Sequence, residues 1–89
     1  MSLPEGLIDI APGFRLQWEE AQQAFVLLYP EGMITLNPSA GEILKRCDGS
    51  HTTEGIIEAL QQQFPGVELA ADVREFLEVA YERGWIRGQ

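Results

Sequence analysis

The stretch Phe25-Val-Leu-Leu-Tyr-Pro-Glu-Gly-Met-Ile-Thr-Leu36 restricts the fold more tightly than any other part of the chain. Two runs rich in β-branched, aromatic and aliphatic residues flank Pro30-Glu31-Gly32, and that pattern predicts a β-hairpin. Pro30 presets φ for the second position of a type I turn. Gly32 is expected to take the left-handed conformation that closes such a turn into a bulged loop. Upstream, Phe14 to Trp18 alternates so that Phe14, Leu16 and Trp18 share one face while Arg15 and Gln17 share the other. This is a half-buried first strand, reversed by the polar Glu19 to Gln23. Phe25 to Tyr29 is apolar on both faces, as a central strand should be. Met33 to Leu36 then completes a three-stranded antiparallel meander, in which it is an edge.

Three helices are expected after the meander. Asn37 caps the first, with Pro38 at a position where a missing N–H costs nothing. Ala40, Ile43, Leu44 and Cys47 form its apolar stripe, and Asp48-Gly49 is expected to end it, Gly49 acting as a left-handed cap. Thr52 should cap the second helix, which runs to about Phe64 with Ile56, Ile57, Leu60 and Phe64 inward and Pro65-Gly66 as its stop. The short spacing between these two helices is that of a helix-turn-helix. The third runs from about Ala70 to Arg83, with Gly84 ending it and Trp85-Ile86 returning to the core. Residues 1–11, with Pro4 and Gly6 and no periodicity, read as a flexible N-terminal arm, and Arg87 to Gln89 as a tail. The expected fold is therefore α+β and winged helix-turn-helix-like, a three-stranded meander followed by three helices, with 12–89 as a single domain.

Charge narrows the function. Among 89 residues, six Lys and Arg stand against fourteen Asp and Glu, a net charge of −8. That balance opposes contact with nucleic acid or anionic lipid. The helix that would read DNA, Thr52 to Phe64, carries Glu54 and Glu58 and no Lys or Arg, and the hairpin that would be the wing has Glu31 at its tip. A transcription regulator is thus the weaker alternative. No apolar run reaches the roughly 18 residues of a membrane span, and no signal-peptide pattern opens the chain, so a cytoplasmic location is expected.

Residues for catalysis are scarce. One His, one Cys and no glycine-rich phosphate loop give no spacing for a metal, a cofactor or a nucleophile. His51 reads as an exposed turn residue. Cys47, on the apolar stripe of the first helix, reads as core rather than as a nucleophile. No catalytic residue, metal site or cofactor is assigned, and the protein is not expected to be an enzyme.

The edge formed by Met33, Ile34, Thr35 and Leu36 is the feature that calls for a function. Natural edges are blunted by Lys, Pro or a bulge, whereas these residues carry no charge. An extended peptide could add there as a further strand, unless the arm or the third helix covers the edge. The third helix has a wide apolar stripe, and Val73, Phe76, Leu77, Ala80 and Tyr81 are expected to line or support a groove beside the edge. Arg74 and Arg83 are candidate partners for peptide carboxylates. An empty apolar edge also invites self-association, and a homodimer that peptide dissolves is the corresponding expectation.

Pro12-Gly-Phe-Arg15, Leu28 with Pro30-Glu-Gly32, Leu36-Asn37 leading to Ile43-Leu44, Asp48-Gly49, Asp72-Val73 with Phe76-Leu77, and Gly84-Trp-Ile86 follow one another in an order that resembles the pyrroloquinoline quinone (PQQ) synthesis protein D family, PqqD. The resemblance implies a peptide-recognition element of winged helix-turn-helix fold that acts as a chaperone and not as a catalyst. It implies binding of the precursor peptide PqqA as an antiparallel strand between the edge strand and the third helix. Presentation to the radical SAM enzyme PqqE, which links a Glu to a Tyr within the peptide, is implied as well. Similar leader-peptide binders serve other modified-peptide pathways, and that is the alternative within the same mode.

Overall fold

A computed structural model describes residues 3–88; Met1, Ser2 and Gln89, the outer ends of the expected arm and tail, lie outside the described residues. The elements run β1 (Ile8–Ile10), β2 (Arg15–Glu19), β3 (Ala24–Tyr29), β4 (Gly32–Thr35), α1 (Pro38–Lys45), β5 (Asp48–His51), α2 (Thr53–Gln63), α3 (Ala70–Glu82) and β6 (Ile86–Gly88). The six strands form two antiparallel sheets, of order β2-β3-β4 and β5-β1-β6. The fold is α+β: β1 precedes the meander, and the three helices follow it with β5 between α1 and α2 and β6 after α3.

The meander follows from its alternation. Leu16, Leu27 and Ile34 lie in register on one face and point inward, while Arg15 and Gln17 stay on the other. The hairpin turn is tighter than expected. Tyr29 pairs with Gly32, so Pro30-Glu31 alone form the loop, and Gly32 belongs to the strand and is not left-handed.

Both expected helix caps are present. The Asn37 side chain accepts from the Ala40 N–H at 2.8 Å, and Thr52 Oγ1 accepts from the Gly55 N–H at 3.1 Å. Each cap satisfies one donor that the first turn leaves unpaired, worth about 1 kcal/mol. Gly84, at φ 79°, ends α3, with its N–H on the Tyr81 carbonyl and that of Trp85 on the Ala80 carbonyl. These two bonds are the Schellman pair.

The second sheet departs from expectation. Within the supposed arm, Ile8–Ile10 forms the central strand between β5 and β6, and Ile8 is fully buried. Arg87 and Gly88, expected in a tail, pair with Asp9 and Ile8. Asp48-Gly49 does not cap α1, which ends at Lys45. It opens β5, where Gly49 takes φ 84° at a register shift against β1, and Asp48 Oδ1 accepts from the Ser50 N–H at 3.0 Å. The left-handed glycine was rightly expected, but it serves a bulge in place of a helix end.

The core lies between the sheets and the helices, with α1 on β3, α2 on β5 and α3 on β6. Ile8, Leu27, Leu44, Ile56 and Leu77 are its largest fully enclosed aliphatic side chains, each worth roughly 1.5–3 kcal/mol by area. Gly41 lets α1 approach the sheet: a Cβ there would fall 2.8 Å from Phe25 Cδ2. Phe64, expected inward, stands at the end of α2 and is exposed.

Candidate functional site

The open edge of the meander is built by backbone alternation. Leu36 donates its N–H to the Phe25 carbonyl at 3.0 Å, which makes 25 and 36 a hydrogen-bonded pair. In an antiparallel ladder such pairs alternate with unbonded ones. With Leu27 opposite Ile34 and Leu28 opposite Met33, Ile34 bonds inward to β3, and the N–H and C=O of Met33 and Thr35 point away. No loop or turn bond among the described residues reaches Met33 or Thr35. The arm pairs elsewhere, through β1, and so does not cover this edge.

The opposite edge of the same sheet is treated differently. Along β2, Arg15 Nη2 donates to Gln17 Oε1 at 3.1 Å, and Gln17 Nε2 donates to Glu19 Oε2 at 2.5 Å. A row of polar side chains blunts that edge. Along β4 the side chains are Gly32, Met33, Ile34 and Thr35, with Met33 53% exposed and Ile34 packed on the core. Only one edge of the meander is left uncharged.

Helix α3 contributes unequally. Val73, Leu77 and Ala80 are at most 2% exposed, so they are core and can only support a surface. Arg74 is ion-paired with Glu54 of α2, which turns that flank, and Tyr81 one heptad on, toward α2. Phe76 and Val79 sit on the other flank, close to Asp72 in the helical sequence of positions 72, 76 and 79. Phe76 is half-buried and Val79 is exposed. Val79 is a surface residue that the site assignment omitted, although its spacing of three from Phe76 signals it. Arg83 lies over the Trp85 ring at 5.7 Å, a cation–π contact that engages the second candidate for a peptide carboxylate.

Two hollows flank the start of α1, and Pro38 and Glu42 line both. One, of about 180 Å³, is shared with Trp18 and Phe25 near the β2–β3 turn. The other, of about 320 Å³, is shared with Phe64 and Val67 after α2 and with Leu69, Asp72 and Val73 at the start of α3. The second hollow was not anticipated, because it joins residues from three separated segments.

Burial, followed by the negative charges of Asp48 and Asp9, pushes the Cys47 thiol up to about 12, and Sγ donates to the Ile43 carbonyl at 3.4 Å. A thiol that ionises near 9 when unfolded and near 12 when folded leaves stability intact below pH 9. Above it, stability declines as pH rises toward 12, because the unfolded thiol ionises first. Cys47 should accordingly resist a disulfide reagent at pH 8 and react fully in denaturant; equal rates in the two conditions would contradict its enclosure. In β5, the Asp48 carboxyl is held below its usual range by the Ser50 hydroxyl and N–H. Ser50 Oγ lies 3.0 Å from His51 Nδ1 and also bonds Asp48, whose Oδ1 is 3.9 Å from the same ring nitrogen, so Asp48 and Ser50 share one side of the imidazole. That arrangement is not the nucleophile–base–carboxylate order of a hydrolase.

A DNA-reading role fits poorly, since α2 presents Glu54 and Glu58 and no cation. No helix among the described residues is long and apolar enough to cross a membrane.

Residues 24–86 match the family described as coenzyme PQQ synthesis protein D (PqqD). A PqqA binding protein of Methylococcus capsulatus is 50% identical over 88 residues, covering 98% of this chain and 95% of its own. That of Pseudomonas entomophila is 57% identical over 76 residues, 84% of each chain. Among solved structures, the PqqD truncation of Methylobacterium extorquens PqqCD, a stand-alone recognition element for ribosomally synthesized and post-translationally modified peptides, has a TM-score of 0.73. Its identity is 27%, over 90% of this chain and 87% of that one. The heterocyclase TruD has a TM-score of 0.69 at 25% identity, over 92% of this chain but 11% of the enzyme. The match runs from β3 through all three helices, and relatives of nearly the same length share half or more of the aligned residues: this chain belongs to the PqqD family.

Proposed function

We propose that this protein binds the PQQ precursor peptide PqqA as an added antiparallel strand on β4 and presents it to the radical SAM enzyme PqqE in the cytoplasm. The observation that carries the reading is the edge itself. Met33 and Thr35 offer outward backbone donors and acceptors on an uncharged strand, while the companion edge, β2, is blunted. Main-chain bonds of that kind supply affinity in strand addition, and pockets for alternate side chains supply selectivity. Ile34 and Leu36 face the core, which Val73, Leu77 and Ala80 of α3 share. Phe76 and Val79 form the apolar flank offered to the peptide, and Arg74 and Tyr81, on the α2 side, hold α3 in place. The names of the curated relatives, PqqA binding proteins, support the choice of peptide.

In this reading the protein is not a catalyst, and the iron–sulfur and SAM chemistry resides in the enzyme that receives the peptide. The test is reconstitution. PqqE should cross-link PqqA efficiently with this protein present and at least about tenfold more slowly without it, as measured by mass spectrometry of the peptide. Equal rates would contradict presentation.

A further inference from the structure

The 320 Å³ hollow at the junction of α1, α2 and α3 has a composition unlike the β4 edge. Its floor is the buried Ile43, Leu60 and Val73, and its lips are Phe64 and Val67, 41% and 51% exposed. Phe64 and Val67 thus place an exposed apolar pair at the mouth of a hollow whose floor is apolar, where an entering side chain would gain burial. The volume is at the lower end of the range of about 300–1,000 Å³ for ligand sites. It suits one or two side chains.

The rim is acidic. Glu42 and Asp72 line the hollow and no cation does. Glu42 is already paired with Arg46 at 2.9 Å, whereas Asp72 has no ion-pair or hydrogen-bond partner among the described residues. A Lys or Arg entering here could lay its alkyl stem on Phe64 and Val67 while its charge meets Asp72. An acidic segment would be repelled, and so would a second copy of this chain, which carries the same −8 charge and the same rim.

Chain geometry connects the hollow to the edge. Pro38, on its wall, is three residues beyond Thr35, a span of at most about 10 Å. A strand added antiparallel to β4 runs from the Thr35 end toward the Gly32 end. The residues preceding the paired segment therefore come within reach of Pro38, which borders the larger hollow as well as the smaller one.

We propose that this hollow receives a basic and apolar segment of the bound peptide, N-terminal to the part that pairs with β4, with Asp72 facing its cation. The proposal rests on the strand reading above and adds the chemistry of the flanking residues. It reverses the sign of the electrostatic expectation, since the arginines considered for peptide carboxylates are engaged by Glu54 and Trp85.

The test uses fluorescence anisotropy with labelled PqqA and with PqqA shortened from its N-terminus up to the paired segment. Asp72→Asn should weaken full-length PqqA about fivefold at low salt and have little effect at 0.5 M NaCl, where an exposed pair is screened. Phe64→Ala, at an exposed position that should leave the fold intact, should weaken it about five- to tenfold at either salt. Neither variant should affect the shortened peptide, which itself binds more weakly than the full one. Thermal melts check that the variants remain folded. Unchanged affinity in both variants, with full binding by the shortened peptide, overturns the hollow alone and leaves the strand intact. Retained binding in Thr35→Pro sinks the strand reading and the placement derived from it. Cleft variants that bind normally but slow PqqE would assign the hollow to the enzyme and so overturn the proposal.

Discussion

Thr35→Pro should remove peptide binding from a protein that still folds. The Thr35 N–H points out of the ladder, so proline takes no hydrogen bond from the sheet, and its fixed φ is tolerated on an edge strand. Ile34 before it is already extended, the conformation a following proline requires. The docked peptide would lose a donor and meet the pyrrolidine ring in the space of its own backbone. A carbonyl left unpaired on binding costs about 1–3 kcal/mol, and with the steric term affinity should fall roughly 30- to 1000-fold. Ile34→Pro is the contrasting variant. Its N–H bonds inward to β3, so proline there should cost about 3 kcal/mol of stability or more. A folded Thr35→Pro protein that binds PqqA with unchanged affinity would refute the β4 edge as the dock.

Ile8→Ala should produce the largest loss of stability among conservative substitutions in the N-terminal segment. Ile8 is fully enclosed in the central strand of the β5-β1-β6 sheet. Truncating an enclosed isoleucine to alanine costs about 2–5 kcal/mol. A chain of this size has about 5–10 kcal/mol in total, so the melting temperature should drop by roughly 10–20 °C. Leu7→Ala, at the adjacent and exposed Leu7, serves as the control and should shift stability by less than about 0.5 kcal/mol. Equal and small shifts for the two variants would show that the segment behaves as a loose arm.

Ile8 also marks where sequence reasoning stops. The meander was legible because alternation and β-branched content persist for several residues, and the helices because Asn37-Pro38, Thr52 and Gly84 are local signals whose chemistry fixes a terminus. The second sheet was not. Its strands are three or four residues long, and Asp48-Gly49-Ser50 are poor strand formers whose local preference is for a turn. They become a strand only because β1, some forty residues away in sequence, supplies the partner. The alternation in Ile8-Asp9-Ile10 was present but too brief to outweigh the surrounding Pro and Gly. Gly32 was misread for a related reason: Pro30-Glu31 satisfies a two-residue loop, and nothing local separates that from a bulged one.

The site divides in the same way. Met33 to Thr35 could be named from the sequence because an uncharged edge is a local property. Their outward pairing phase needed the Leu36-to-Phe25 bond. On α3, helical spacing correctly grouped Val73, Leu77 and Ala80 but could not say that they are wholly enclosed. Arg74 is exposed, as its position on the helix implies, but its ion pair with Glu54, twenty residues away, needed the structure; Val79 extends the stripe beside Phe76. The hollow beside α1 draws on Pro38, Phe64, Val67 and Asp72, which no periodicity connects.

Amide exchange on β4 with and without PqqA tests the central claim most directly. In the free protein the Met33 and Thr35 amides should exchange quickly and the Ile34 amide slowly. Saturating PqqA should slow Met33 and Thr35 by at least about tenfold and leave Ile34 nearly unchanged, as expected when a new strand bonds only the outward groups. Protection that spares Met33 and Thr35 while the peptide is bound would contradict strand addition at this edge.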